Sequence, residues 1–224
     1  PLNNTSKDPV QRIPMRLLVQ KIFKKRTVWM LCIAFGTMVF VNMGYLTWMP
    51  TYLHENFSLS LTNAGFSSMF YHHLFAFFGV LIGGKLSDRW AVKHKKVRII
   101  TEYTGLLLGA PFIFLMGFSE NLILCYTGLA IFGFFRGVYD SNLFAALFDV
   151  IEPKYRASSV GVMLAFAFIV GSLAPVLLGW VKSLYGLSFG ISFLSLFYII
   201  GGVMIFIASK YFFEKDFIVE DIND

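Results

Sequence analysis

The sequence is poor in charge and in cysteine. Of its 224 residues only 14% are charged, whereas 57% are hydrophobic and 26 are phenylalanine. A water-soluble domain of this length could not bury so much apolar surface, so lipid must surround most of the chain. The two cysteines, Cys32 and Cys125, lie in apolar runs, which favours packing over disulfide or metal chemistry. The chain shows no signal-peptide pattern, and its polar first ten residues indicate a linker.

Six apolar runs are long enough to cross the roughly 30 Å hydrocarbon layer of a bilayer. They cover residues 28–49, 64–86, 97–118, 122–148, 157–181 and 187–213. The sequence therefore predicts an all-α membrane protein with six transmembrane helices, whose short connections make sequential helices antiparallel neighbours. Pro50 is expected to end the first span, and Pro111 and Pro175 are expected to kink the third and fifth.

Basic residues are distributed unequally between the two sides of these spans. Of the 19 Lys and Arg residues, 17 precede the first span or lie in the second connection, the fourth connection and the tail. The opposite side has Lys182 alone. Positively charged loops stay in the cytoplasm, so both termini of this multi-pass cell-membrane protein are predicted to be cytoplasmic. The net charge of +6 then reflects topology, and nucleic acid is not expected as a partner. Residues 13–23 are amphipathic and form either a membrane-surface helix or a solvated linker helix.

An arginine and an aspartate stand in the middle of the fourth apolar run. Arg136 and Asp140 are four residues apart, on one helix face, so they can neutralise each other. Ionisable side chains at membrane depth usually face a bundle interior or a watery cavity, and a guanidinium suits carboxylate or phosphate. The pattern predicts that Arg136 contacts a substrate, with Tyr139 facing the same cavity and Asp140 taking a proton. A permanent structural ion pair is the alternative.

Polar residues of the first three spans supply further candidates. Asn42 and Tyr45, one turn apart, are predicted either to bind substrate hydroxyls or to form interhelical hydrogen bonds. Adjacent histidines diverge by about 100° on a helix, so only one of His72 and His73 can face the interior and suit proton coupling. Neither has a ligand four residues on, and no nucleophile arrangement is present. We therefore predict no metal, no cofactor and no catalytic residue. Glu102 is expected to snorkel to the surface or to pair with a basic loop residue.

The second and fourth spans end in charged motifs. Gly84, three residues, Asp88 and Arg89 precede a basic cluster, in a sequence that resembles the loop motif of the major facilitator superfamily. Asp149, six residues and Arg156 resemble the motif that the family carries after the fourth helix of each half. The resemblance implies that these two acid–arginine pairs form a charge network that closes the cytoplasmic side.

The resemblance covers roughly residues 20–213 and implies one half of a twelve-helix transporter, made of two inverted three-helix repeats. Residues 1–26 would be the linker between halves, 27–213 the bundle and 214–224 a cytoplasmic tail, and an N-terminal six-helix half would be the partner. The implied activity is proton-coupled transport of a small organic anion, such as a sugar acid, by alternating access. The sequence around Gly171, Pro175 and Gly179 is similar to the spinster-like and organic anion:cation symporter branches. Export of a lipid or amphiphile is therefore an alternative, and a transport-incompetent receptor or assembly factor is another.

Overall fold

Every secondary-structure element in residues 24–218, the part of the chain that the computed structural model describes, is helical. The helices are α1 (Arg26–Phe57), α2 (Leu61–Ala91), α3 (Val97–Phe118), α4 (Leu122–Asp140), α5 (Leu143–Phe148), α6 (Arg156–Gly171), α7 (Ala174–Tyr185), α8 (Leu187–Tyr211) and α9 (Phe213–Asp216). Six segments are long and apolar enough to cross a membrane, which confirms the six predicted spans. The fourth span consists of α4 and α5, and the fifth of α6 and α7. The amphipathic stretch predicted at residues 13–23 lies outside the described residues.

Proline has a different effect in each of three spans. Helix α1 continues through Pro50 to Phe57, so the prediction that Pro50 ends the first span is wrong. A proline removes one N–H donor, but a membrane-spanning helix tolerates this where its surroundings satisfy the freed groups. Helix α3 runs through Pro111 without interruption. Pro175 lies in the first turn of α7, directly after a break in the fifth span, where its missing N–H has no helical partner.

Helix α1 is the central element of the bundle. It packs against α2, α6, α7 and α8, and its buried side chains point in nearly every direction around the helix axis. Helix α4 lies between α2 and α3, and α3 packs in turn on α8. Most large exposed apolar side chains belong to α2, α3, α7 and α8, which present the surface that lipid would cover.

Glycines let the backbones of α2 and α4 approach very closely. A Cβ atom at Gly133 would overlap the carbonyl oxygen of His72, and one at Gly137 would overlap that of Ala76. Only residues without a side chain permit this distance between two helices. The contact brings the middle of α2 within side-chain reach of Arg136 on α4.

Both ends of the described chain lie at the same end of the bundle. Lys25 Nζ donates a hydrogen bond to the carbonyl of Asp216 over 2.8 Å, and the backbone N–H of Thr27 donates to the Asp216 carboxylate over 3.0 Å. We call this end the basic rim; it comprises residues 24–26, 93–98, 154–156 and 210–215. The opposite rim holds an ion pair between Lys182 and Glu55, 2.6 Å from nitrogen to oxygen.

The described part of the predicted tail packs back onto the bundle. Phe213 is fully buried, and Lys96 forms an ion pair of 2.8 Å with Glu214. The backbone N–H of Ile218 donates to the carbonyl of Asp149 over 2.9 Å. Residues 213–218 therefore form part of the basic rim.

Candidate functional site

Arg136 and Asp140 lie together on one face of α4, as their spacing predicts. Arg136 Nε is 3.4 Å from Asp140 Oδ2. This contact is an ion pair without hydrogen-bond geometry, so the Nε–H has no acceptor within residues 24–218. The side chains are 18% and 30% exposed, so neither charge is sealed inside the bundle. The Nε–H donor is itself buried, whereas part of the Arg136 side chain remains exposed.

A second partner of Arg136 comes from the neighbouring span. Arg136 Nη1 lies 3.1 Å from His72 Nε2. A guanidinium can only donate, so Nε2 accepts, and the proton of the neutral imidazole lies on Nδ1. The His72 ring is fully buried between Tyr45 and Phe132, with ring centroids 4.8 Å and 4.7 Å away. Of the two adjacent histidines, His72 is thus the one that faces the interior.

Of the two candidates from the first span, Tyr45 lies beside this cluster. The Tyr45 hydroxyl donates to the backbone carbonyl of Ser68, which ties α1 to α2. Asn42, one turn earlier, is partly buried, and its Oδ1 has no hydrogen-bond partner among the described residues. Tyr45 therefore contributes its ring to the wall around His72, whereas Asn42 retains an unused acceptor.

Two other candidates point away from Arg136. The His73 side chain is exposed, and its Nδ1 is 2.9 Å from the Met69 carbonyl of its own helix. Tyr139 is fully buried against α3, where a Cβ on Gly105 would lie 3.1 Å from that of Tyr139. The structure therefore brings Arg136, Asp140, His72 and Tyr45 together, but places His73 and Tyr139 on other faces.

The charged motifs meet only in part at the basic rim. Asp149 accepts a hydrogen bond of 2.8 Å from Arg98, a residue outside the predicted network. Asp88 lines a hollow of about 230 Å³ together with both of them. Asp88 and Arg89 are exposed and form no ion pair within the described part of the chain.

The remaining motif residues make backbone and packing contacts. Arg156 donates to the carbonyl of Phe148 over 3.2 Å. Gly84 faces Ser141 with room for a side chain, so the close contact with α4 is made by its neighbour Gly83. The structure thus assigns the tightest packing of this motif to a glycine one position earlier than the one in the family pattern.

Glu102 differs most from its expected environment. It is fully buried, and neither carboxyl oxygen has a hydrogen-bond partner among residues 24–218. The expectation that it reaches the surface or a basic loop residue is wrong, because its face of α3 is covered by neighbouring helices. Its position four residues after Arg98 in an apolar helix was the one sequence signal that could have singled it out.

Six membrane spans with an arginine partly exposed within them are typical of membrane transport proteins. The chain belongs to the Major Facilitator Superfamily, whose sequence model matches residues 2–175. Its relatives and its fold are those of transporters and not of enzymes. The expected fold, one six-helix half of a major facilitator-type bundle, is confirmed.

Individual relatives cover most of this chain. The probable L-galactonate transporter of Escherichia coli (strain K12) is 27% identical over 185 residues, which cover 80% of this chain and 39% of that protein. The benzoate transport protein of Acinetobacter baylyi is 27% identical over 187 residues, with 82% and 37% covered. The chain thus spans less than half the length of either relative.

The fold is also that of a solved structure. A bacterial homolog of the human lysosomal transporter Spinster, in its inward-facing and unoccupied conformation, matches with a TM-score of 0.85. The match covers 98% of this chain and 55% of that one. The sequences are 18% identical, so this likeness describes the fold alone.

Proposed function

We propose that this chain is the C-terminal half of a secondary active transporter of the cell membrane. An N-terminal six-helix half completes the site, and the basic rim faces the cytoplasm. The cargo is a small organic carboxylate, such as a sugar acid, which moves together with protons by alternating access. The names of both relatives support this class of cargo, because L-galactonate and benzoate each carry one carboxylate.

The partly exposed Arg136 side chain, 18% accessible within a membrane span, is the observation that carries the proposal. A guanidinium has five N–H donors, and a substrate carboxylate accepts from the exposed ones with charge assistance. The side chain is already oriented by His72, which accepts from Nη1. Arg136 therefore binds the carboxylate, and Asn42 of α1 remains the candidate for contact with a substrate hydroxyl.

Asp140 links the substrate to the proton. Without substrate it balances the charge of Arg136 at 3.4 Å. A carboxylate bound to Arg136 brings a second negative charge beside Asp140, and the two repel each other. A proton on Asp140 removes the repulsion, so anion and proton bind together. A proton on His72 Nε2 would break its bond to Arg136, which makes His72 a second proton-linked group.

The Arg98–Asp149 ion pair is the part of the rim that opens and closes. It joins the start of α3 to the segment after α5, with Asp88 beside it. Gly83 and Gly84 lie where α2 meets Ser141, at the end of α4. Arg156 lines a neighbouring hollow together with Arg98 and Asp149, and Arg89 follows Asp88 at the end of α2.

Uptake by the full-length protein in proteoliposomes tests the site. With a proton gradient imposed, Arg136→Ala should reduce galactonate or benzoate uptake by about 100-fold, the effect of about 2.7 kcal/mol of lost charge-assisted binding. Lys182→Ala is the matched control, because it removes a cation of the opposite rim. Asp140→Asn should leave uptake that responds less steeply to pH, because His72 is then the remaining proton-linked group. Unchanged carboxylate uptake and pH response in Arg136→Ala would refute the assignment.

A second candidate function is export of a lipid or amphiphile. It is favoured by the open face of α2, where Phe66 and Phe70 stack with centroids 5.2 Å apart and Phe77 is 57% exposed. Such a surface suits an acyl chain more than a sugar acid. Movement of a fluorescent short-chain lipid, but not of a carboxylate, in the same vesicles would select this function. Movement of neither would favour a receptor or assembly factor.

A further inference from the structure

A cavity of about 940 Å³ opens at the basic rim, between the end of α2 and the start of α3. Both helices pack closely on α4 but touch each other sparsely, which leaves a gap between them. Val138 of α4 lines its floor, and Phe213 and Phe217 close one side. Arg136, Asp140 and His72 do not line it. We call this space the lateral cavity; its size is typical of ligand sites.

The depth of the lateral cavity is mainly apolar, with Thr101 and Thr104 as its polar lining residues. Leu86 of α2 and Ile100 of α3 form facing walls and are 48% and 39% exposed. The exposed apolar surface of α2 continues one turn further to Ile82. These exposed residues belong to membrane-spanning helices, so the cavity opens onto an apolar surface at the depth of the hydrocarbon layer. An occupant can therefore extend from the rim along the hydrocarbon layer.

The mouth of the lateral cavity is strongly basic. It is lined by Lys93, His94, Lys95 and Lys96. The acidic residue in the lining, Glu214, forms an ion pair with Lys96 over 2.8 Å. Lys93 and Lys95 have no anionic partner within residues 24–218, and Lys95 Nζ lies over the Phe217 ring at 5.1 Å from its centroid. The mouth thus presents two positive charges, those of Lys93 and Lys95, that a bound anion could neutralise.

We infer that the lateral cavity binds an anionic phospholipid of the surrounding bilayer. The phosphate lies between Lys93 and Lys95, and one acyl chain follows the groove between α2 and α3. Basic pockets between membrane helices recognise such headgroups. An anionic phospholipid has a charged headgroup for the basic mouth and an acyl chain for the apolar depth. A soluble anion would contact the mouth alone. Trp90, 52% exposed at the mouth, fits the interfacial level of a headgroup.

Lipid retention by the full-length protein provides the test. The purified protein is mixed with phosphatidylglycerol or phosphatidylcholine of identical acyl chains, and bound lipid is counted by native mass spectrometry. Phosphatidylglycerol should bind preferentially, and Lys93→Gln/Lys95→Gln should weaken its binding by about 30-fold, from the loss of two cations. Lys154→Gln/Lys210→Gln is the control, because it removes the same charge from the same rim outside the cavity.

A second variant separates the cavity from its mouth. Thr104→Phe fills the depth of the cavity without changing any charge, and should also abolish phosphatidylglycerol binding. Retention of the lipid in Thr104→Phe would mean that it only adheres to the surface lysines, which overturns the inference. Equal loss in the control variant, or equal displacement by glycerol phosphate without acyl chains, would overturn it as well. A uniform thermal unfolding midpoint among the variants would show that each is folded.

Discussion

Arg136 and Glu102 are both ionisable residues within the membrane-spanning helices, yet their surroundings are opposite. Arg136 is accompanied by Asp140 and His72 and is partly exposed. Glu102 is fully buried, and neither of its oxygens is hydrogen-bonded within the described residues. A lone ionised carboxylate in such a place would cost several kcal/mol, so Glu102 fits its site only as the neutral acid. The arginine cluster keeps its charges by pairing them, whereas the glutamic acid is accommodated without a charge.

The largest expected effect comes from separating α2 and α4. This change would disrupt the surroundings of Arg136 and leave those of Glu102 unchanged. Gly133→Ala places a Cβ against the His72 carbonyl, so the helices must move apart. Overpacking of this kind should cost about 3 kcal/mol of unfolding free energy and abolish uptake. Thermal unfolding in detergent measures it.

The matched control for this change is Gly161→Ala on α6, where an added Cβ meets nothing within 4 Å. It should be neutral or stabilise slightly, because alanine favours the helix over glycine by up to about 1 kcal/mol. Equal destabilisation by the two alanines would contradict a close contact between α2 and α4.

A smaller effect is expected from removing the counter-charge of Arg136. Asp140→Asn leaves the guanidinium without its anion, and breaking a buried pair of this kind costs about 3–5 kcal/mol. Because both side chains are partly exposed, solvent screening should reduce the cost to about 1–2 kcal/mol. The midpoint of thermal unfolding should fall, and added galactonate should restore at least as much of it as in the unaltered protein, because its carboxylate replaces the missing anion beside Arg136.

Glu102→Gln should change stability by less than about 0.5 kcal/mol, because an amide replaces a neutral acid of the same shape. This variant sharpens the comparison, since Asp140→Asn is the same chemical change at a charged site. A loss in Glu102→Gln as large as that in Asp140→Asn would mean that Glu102 is ionised and paired.

The smallest effect is expected at the basic rim, where charges are open to water. The hydrogen bond and the charge of Lys96 lower the pKa of Glu214 from its usual value of 4.5. A lowered pKa in the folded state adds stability above pH 4.5, and this stability is lost as the pH falls through the folded value. The unfolding midpoints of the protein and of Glu214→Gln should therefore converge between about pH 5 and pH 3. A constant difference across that range would contradict the ion pair.

Local chemistry accounts for what could be predicted from the sequence. The six spans follow from run length and hydropathy, and the Arg136–Asp140 contact follows from helical periodicity. The end of the first span was misplaced because Pro50 acts on one hydrogen bond, whereas packing around α1 continues to Phe57. Helical periodicity predicts which side chains of one helix share a face. It does not predict contacts in which the partner belongs to a second helix.

Contacts between helices account for what could not be predicted. The choice between His72 and His73 depends on how closely α2 approaches α4, which is set by Gly133 on a different span. One partner of Asp149 is Arg98, 51 residues away in the chain. Likewise, the burial of Glu102 depends on helices that cover its face of α3. None of these distances is encoded in a local spacing, so the contact between Asp149 and Arg98 could not be predicted.

Asp216 joins the two extremities of the helical unit. Its carboxylate caps the first turn of α1 through Thr27, and its carbonyl accepts from Lys25. Because start and finish touch, a circular permutant could be made by linking them directly and cutting the connection after Ser119 at the far rim. Every helix would keep its neighbours in such a rearranged polypeptide, although the order of synthesis would change. The packing of the six spans therefore does not require that α1 be the first helix in the chain.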